Sequence, residues 1–189
     1  MNKKRCHWAN PKNALYLEYH DNEWGVPKHD DIELFEMIVL EGAQAGLSWE
    51  TVLNKRENYR AAFDNFDPAI IAKYDDAKYD ELLNNAGIIR NKLKIKSAIR
   101  NAQVFLDIQK EFVSFDKYIW AFVDNKSIIN SFDNINDFPT KTVLSDQISK
   151  DLKSRGMNFV GTTIIYAFMQ SIGIVNDHET SCFRHRNNK

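Results

Sequence analysis

The chain has 189 residues, 43% of them apolar and 27% charged, with 25 Lys and Arg against 26 Asp and Glu. This is the balance of an ordinary globular protein with enough chain to bury a sizeable core, and it excludes a disordered or fibrous class. There is no run of about eighteen apolar residues that would span a membrane, and a net charge of −1 means that any nucleic-acid partner must be held by a local basic patch.

Seven Gly and four Pro among many helix-formers predict an all-α protein. Residues 1–29 are rich in aromatic side chains (Trp8, Tyr16, Tyr19, Trp24) and in histidine, and are expected to lie as an irregular segment across the body. They begin MNKKRCHWANPK, basic but without the apolar stretch of a secretory signal, so a cytoplasmic address is expected. Asp30 or Asp31 caps a first helix, in which Ile32, Phe35, Ile38 and Val39 recur at helical spacing. Ser48 caps a second, with Val52, Leu53, Tyr59 and Phe63 inward and an end near Asp64. Asp67-Pro68 opens a short helix through Lys73, and another runs from Asp75 or Asp76 to Asn85, ended by Ala86-Gly87. The longest helix spans about 91–110, with Ile95, Ala98, Ile99, Ala102, Phe105 and Leu106 inward. Its outer row, Lys92, Lys96 and Arg100, reads as a solvated face. Ser114 precedes the next helix, residues 124–142 read as a loop, and two last helices span about 145–155 and 161–171.

Residues 40–49, LEGAQAGLSW, combine one acid, small residues and a large aromatic. Glu41 follows the apolar run Met37, Ile38, Val39, Leu40, so an inward-packed helix carries its carboxylate toward the interior. There it must be paired, hydrogen-bonded or protonated. Gly42, Ala43, Ala45 and Gly46 leave room, and Trp49 offers a flat apolar surface, so together they could line a slot for a planar polar ligand. The competing reading, favoured on spacing alone, makes Glu41 a partner of nearby backbone and Trp49 part of the core.

The two cysteines, Cys6 and Cys182, lie near opposite ends. His178 and Cys182 are four residues apart, which on a helix places both on one face, and Cys6 with His20 would complete a closed Cys2His2 structural zinc site. His7, His29 and His185 are alternative ligands, and two buried free thiols are the alternative to any metal; a disulfide is not expected in that compartment.

Long strings along the chain are similar to the 3-methyladenine DNA glycosylase I family. They are Cys6-His7-Trp8, YLEYHDNEWGVP from Tyr16, LFEMIVLEGAQAGLSWETVLNKRENYRAAF from Leu34, AGIIRNKLKI from Ala86 and RGMNFVGTTIIYAFMQSIGIVNDH from Arg155. The resemblance covers Cys6 to Cys182. It implies a helix-hairpin-helix glycosylase fold of two helical lobes with a DNA-facing cleft: a central lobe of about 30–145, and a second formed by about 1–29 with 146–189. It implies zinc on Cys6, His20, His178 and Cys182, joining the two ends. It puts the base pocket on Glu41, Trp49, Tyr16 and Tyr19 with Trp24 at the edge, and the hairpin at 155–163.

The activity so implied is hydrolysis of the N-glycosidic bond of 3-methyladenine in double-stranded DNA, by a monomer acting in base excision repair. A damaged base must be flipped out of the stack to be read, and methylation at N3 makes it cationic, which suits aromatic faces and a carboxylate. Glu41 is expected to select the base. Relatives in the superfamily carry an aspartate in a Val-Asp-x-His context. Here the string is Val175-Asn176-Asp177-His178, and Asp177 is either that acid or, by preference, a partner orienting His178 on the metal. Strand-cutting relatives have a lysine where Thr163 stands, so no lyase activity is expected. Phosphates would be met by backbone around Phe159, Val160, Gly161 and Thr162, with Lys150, Lys153 and Arg155 adding charge. The alternative is a non-catalytic zinc-stapled module that recognises alkylated or distorted DNA.

Overall fold

The computed structural model describes residues 3–185. Among them run ten α-helices: α1 (Ala14–Asn22), α2 (Asp31–Gln44), α3 (Trp49–Leu53), α4 (Arg56–Ala62), α5 (Pro68–Ile71), α6 (Asp76–Asn84), α7 (Lys92–Phe112), α8 (Phe115–Ala121), α9 (Val143–Ser154) and α10 (Thr162–Ser171). The all-α expectation holds. The one sheet is a two-residue parallel pairing of β1 (Ile128–Ile129) with β2 (Val175–Asn176).

α2 is the central helix, and α3, α7, α8 and α10 pack on it. Ten consecutive residues, Leu34 to Ala43, are buried, so α2 shows water no polar face after its first turn. A helix covered on all sides is core, and this is what takes Glu41 inside. Its start is fixed by Asp30, whose carboxylate accepts from the Ile32 and Glu33 amides. Around it Ser48 caps on Thr51 N and Asp67 on the Ala69 and Ile70 amides, as expected. The structure adds Asn91 as the cap of α7, on the Leu93 and Lys94 amides, and Ser114 as the cap of α8, on Lys117 N.

Three expectations change. Part of the N-terminal segment is helical: Asn13 caps α1 by accepting from Tyr16 N. The helix expected from Ser48 to Asp64 breaks in two: α3 ends at Leu53 and α4 restarts at Arg56 without a side-chain cap, and Lys55 between them donates from Nζ to the Ala86 and Gly87 carbonyls. The next-to-last helix starts before Ser145, since Thr142 is its cap and Ser145 answers from the third position as the other half of a capping box.

The two ends of the chain meet on α10. Gly25 N donates to Gln170 O at 2.9 Å and Lys28 N to Ile172 O at 3.0 Å. The approach is close enough to need glycine: at Gly173, φ is +74° and a Cβ would lie 2.3 Å from the Val26 carbonyl carbon. The β1–β2 pairing brings residues 128–130 against the strand that leads into His178.

Candidate active site and metal centre

A cavity of about 410 Å³ opens where α2, α10 and the N-terminal segment converge. Trp8, Tyr16, Tyr19 and Trp24 form its aromatic side, with Trp49 facing Tyr19 at 5.2 Å between ring centroids. Glu41 and Gln44 come from α2, Ala167 and Gln170 from α10, and Phe138, Pro139 and Thr140 close one edge. All five residues expected to form a pocket, Glu41, Trp49, Tyr16, Tyr19 and Trp24, line this one cavity.

Glu41 is 3% exposed and its Oε2 has no hydrogen-bond partner; neither does the buried Trp49 Nε1. Burial pushes the Glu41 carboxyl up to about 8, with the Ser171 hydroxyl pulling it partly back. At neutral pH the carboxyl is therefore mostly neutral, and a cation placed beside it would draw the proton off. Tyr19 is also raised, first by burial and then by the nearby Glu41 charge. The site thus offers a planar, mostly apolar slot with an unanswered carboxyl oxygen in its wall.

Behind the aromatic side lie Cys6, His20, His178 and Cys182, all buried, with one donor atom of each within 4.8 Å of every other. Cys6 Sγ is 3.4 Å from His178 Nδ1, and Cys182 Sγ is 3.5 Å from His20 Nε2. The outer ring nitrogens are held as metal-bound imidazoles usually are: His20 Nδ1 on Asp21 at 2.8 Å, itself gripped by Arg5, and His178 Nε2 on the Trp24 carbonyl at 3.1 Å. Two thiols and two oriented imidazoles fit a tetrahedral ion. The residues are those expected, but the helical argument for them was wrong: residues 177–185 contain no helix, and a turn brings Cys182 to His178. Of the alternative ligands, His7 contacts Glu179, His29 pairs with Asp116 at 2.7 Å and His185 Nε2 reaches Asn130 O at 3.3 Å.

Trp24 couples the two centres. Its ring meets Trp8 at 4.8 Å and, edge to face, His178 at 4.7 Å. The Cys6, His20, His178 and Cys182 cluster is thus the backing on which the aromatic side of the cavity rests.

Asp177 does not orient His178, whose ring it does not bond. Its oxygens accept from Asn130 Nδ2 at 2.7 Å, Tyr166 Oη at 2.6 Å and Gln170 Nε2 at 2.8 Å, and its side chain is not part of the cavity wall.

Of the residues expected to meet DNA, Gly161 caps α10 without a side-chain bond, leaving the first amides of that helix unclaimed by any side-chain cap. Phe159 sits at φ +56°, Thr162 shares a hydroxyl bond with Ser145 at 2.8 Å, and Lys150 and Lys153 are exposed. Val160 is 2% exposed and faces the core, so only its backbone is presented. Arg155 is committed elsewhere: it pairs with Glu111 and Asp151, each at 2.7 Å, over the rings of Phe112 and Tyr118. Arg100, in the row expected to be solvated, donates to Gly156 O at 3.3 Å.

A profile of the methyladenine glycosylase family matches residues 8–185. The chain belongs to this family. It is 48% identical to DNA-3-methyladenine glycosylase 1 of Escherichia coli over 98% of this chain and 99% of the relative. It is 47% identical to DNA-3-methyladenine glycosylase of Haemophilus influenzae over 94% of this chain and 96% of the relative. A crystal structure of 3-methyladenine DNA glycosylase I superimposes with a TM-score of 0.93 at 52% identity, covering 96% of this chain and 100% of the other. A Y16F variant of another 3-methyladenine DNA glycosylase I, in complex with 3-methyladenine, gives 0.90 at 32% identity, over 94% and 95% of the two chains. In this methyladenine glycosylase, sequence reasoning did not place Trp8, Gln44, Gln170 or the edge 138–140 at the cavity. Trp8 was read as one aromatic of the N-terminal segment and as a neighbour of Cys6 but not as part of a pocket, and nothing in an aperiodic loop marks Phe138 to Thr140 as a wall.

Proposed function

We propose that the protein removes 3-methyladenine from alkylated double-stranded DNA by hydrolysing the bond between the base and its deoxyribose, without cutting the strand. The observation that carries this reading is the Glu41 Oε2, buried and unpartnered in the wall of an aromatic slot. A buried acceptor left unanswered costs on the order of 1–3 kcal/mol, and a ligand that supplies N–H groups removes that cost. The exocyclic amine of a flipped adenine is such a donor. Methylation at N3 adds positive charge, which electron-rich Tyr16, Tyr19 and Trp49 faces favour and which returns Glu41 to its charged form. The same charge weakens the glycosidic bond and lets the base leave neutral, so no strong acid need protonate it. Water then takes the place of the base on the sugar.

Cys6, His20, His178 and Cys182 would hold one zinc ion, whose four protein ligands leave no open position and so supply a cross-link between the two ends of the chain. Phosphates are met by the N-terminus of α10 with Lys150 and Lys153 nearby, and residues 155–163 serve as the hairpin. On this reading residues 30–145 form one lobe and the two ends of the chain the other. Thr163 occupies the place of the lysine that strand-cutting relatives use. The protein works as a cytoplasmic monomer.

The test is incubation of the purified protein with methylated duplex DNA, followed by chromatography of the released bases. Selective release of 3-methyladenine is expected, slowed about tenfold or more by Glu41→Gln. Specific binding of the methylated DNA with no base released would instead identify a damage-recognition module.

A further inference from the structure

Glu41 discriminates among purines in its charged form, where it only accepts; in the neutral form that burial favours in the free protein it can also donate an O–H to the carbonyl of a guanine. A second group in the cavity that only accepts, whatever the state of Glu41, would keep the choice fixed.

Gln170 lies one residue before Ser171, the hydroxyl neighbour of Glu41, and lines the same cavity. Its amide is not free to turn. Nε2 donates to Asp177 Oδ2 at 2.8 Å, and only the NH2 end of an amide can donate to a carboxylate oxygen. Asp177 is itself fixed by two other donors, Tyr166 Oη on the same oxygen and Asn130 Nδ2 on the other. Tyr166 keeps its proton, since burial and the Asp177 charge both raise its phenol. Asn130 is anchored by its N–H donating to Asn176 O at 3.1 Å. The lock is thus tied to three separate parts of the chain: α10, the β1 loop and the β2 strand. The Gln170 Oε1 receives no hydrogen bond from any described group. It is an acceptor that cannot become a donor.

We infer that Gln170, locked by Asp177, is the group that makes the cavity accept a 6-amino purine and reject 6-oxo purines such as methylated guanines. An amine supplies the hydrogen that Oε1 accepts; a carbonyl oxygen in its place sets two acceptors against each other, and a site built for one donor rejects the analogue that lacks it. Gln170 is here the specificity residue, and Asp177 acts through it as a positioning residue. The inference rests on the base-excision reading above.

The experiment uses the zinc-loaded full chain, with metal content and circular dichroism checked for each variant. Release of 3-methyladenine and 3-methylguanine from methylated duplex DNA, and binding of the two free bases, are measured side by side. In Asp177→Asn the new amide can donate to Gln170 Oε1, the Gln170 amide turns its NH2 inward, and the preference for 3-methyladenine over 3-methylguanine should narrow about tenfold or more. In Gln170→Leu, which lies away from the metal ligands, 3-methyladenine should lose about fivefold or more in binding while 3-methylguanine, relieved of the opposing acceptor, loses nothing or gains. If Asp177→Asn does not fold or loses its metal, Gln170→Leu alone decides. An unaltered preference in a folded Gln170→Leu, or equal losses for both bases, overturns the inference. Absence of any base release by the unmutated protein would instead overturn the reading on which it rests.

Discussion

The buried carboxyl of Glu41 makes the stability of the protein depend on pH in a way that one substitution isolates. Burial raises its pKa from 4.5 to about 8, so the folded chain keeps a proton that the unfolded chain gives up at lower pH. The contribution of Glu41 is therefore fully present below pH 4.5 and is lost as pH rises through 8. Glutamine has nearly the same shape and no proton to lose. At about 1.4 kcal/mol per pH unit across that interval, Glu41→Gln should gain on the parent by roughly 4 kcal/mol between pH 5 and pH 9. Most of the gain should come below pH 8. In a protein of this size it corresponds to a gap in Tm that widens by about 8–16 °C. Urea unfolding of both proteins at five pH values, with zinc held constant, measures it. A difference that changes by less than about 1 kcal/mol over the range would show that the carboxyl is hydrated or paired, and would remove the unanswered acceptor on which the functional argument stands.

Replacing Gly173 by alanine should destabilise the fold by about 2–4 kcal/mol, since it combines a left-handed backbone with a clash against Val26 and Pro27; thermal melting checks this. Chelation, or Cys182→Ser, should remove one bound zinc per chain, lower Tm and reduce the tryptophan fluorescence change on base binding, because Trp24 rests on His178; metal analysis and fluorescence titration follow both effects. Lys150→Ala and Lys153→Ala should each lower the salt dependence of DNA binding by about 0.9 in log–log slope. Arg155→Ala should leave that slope unchanged and cost about 1 kcal/mol of stability, because its charge is already answered by Glu111 and Asp151.

What could be read from the sequence was whatever has a local signature. α2 and α7 announce themselves by caps and helical spacing, and the burial of Glu41 follows from the apolar run before it. α1 does not: its inward residues, Tyr19 and His20, are adjacent and polar-edged, so no 3.6-residue apolar stripe marks it. Residue type narrowed the candidate metal ligands to two cysteines and a few histidines but left His7, His29 and His185 open, and it was the resemblance that singled out Cys6, His20, His178 and Cys182. The geometry of the set could not be read, because the turn that joins His178 to Cys182 is held by contacts with the other end of the chain, among them Phe183 N donating to Lys4 O at 2.8 Å. Asp177 was misread for a related reason. Adjacency to His178 suggested a partnership, but neighbours in an extended segment face opposite ways, and its partners lie on α10 and in the β1 loop.

The contacts that back the cavity join residues made far apart in time: 172 positions separate Cys6 from His178, and 162 separate His20 from Cys182. At about 5–20 residues per second, the aromatic residues of the N-terminal segment wait on the order of ten to thirty seconds on the ribosome for the residues that fix them. During that time Trp8 and Trp24 have no platform and Tyr19 no opposing α10, so a nascent chain displays the ingredients of a pocket without possessing one. Capacity to bind a base therefore arises in a single late step, when the region around Cys182 leaves the ribosome and closes on a segment made long before.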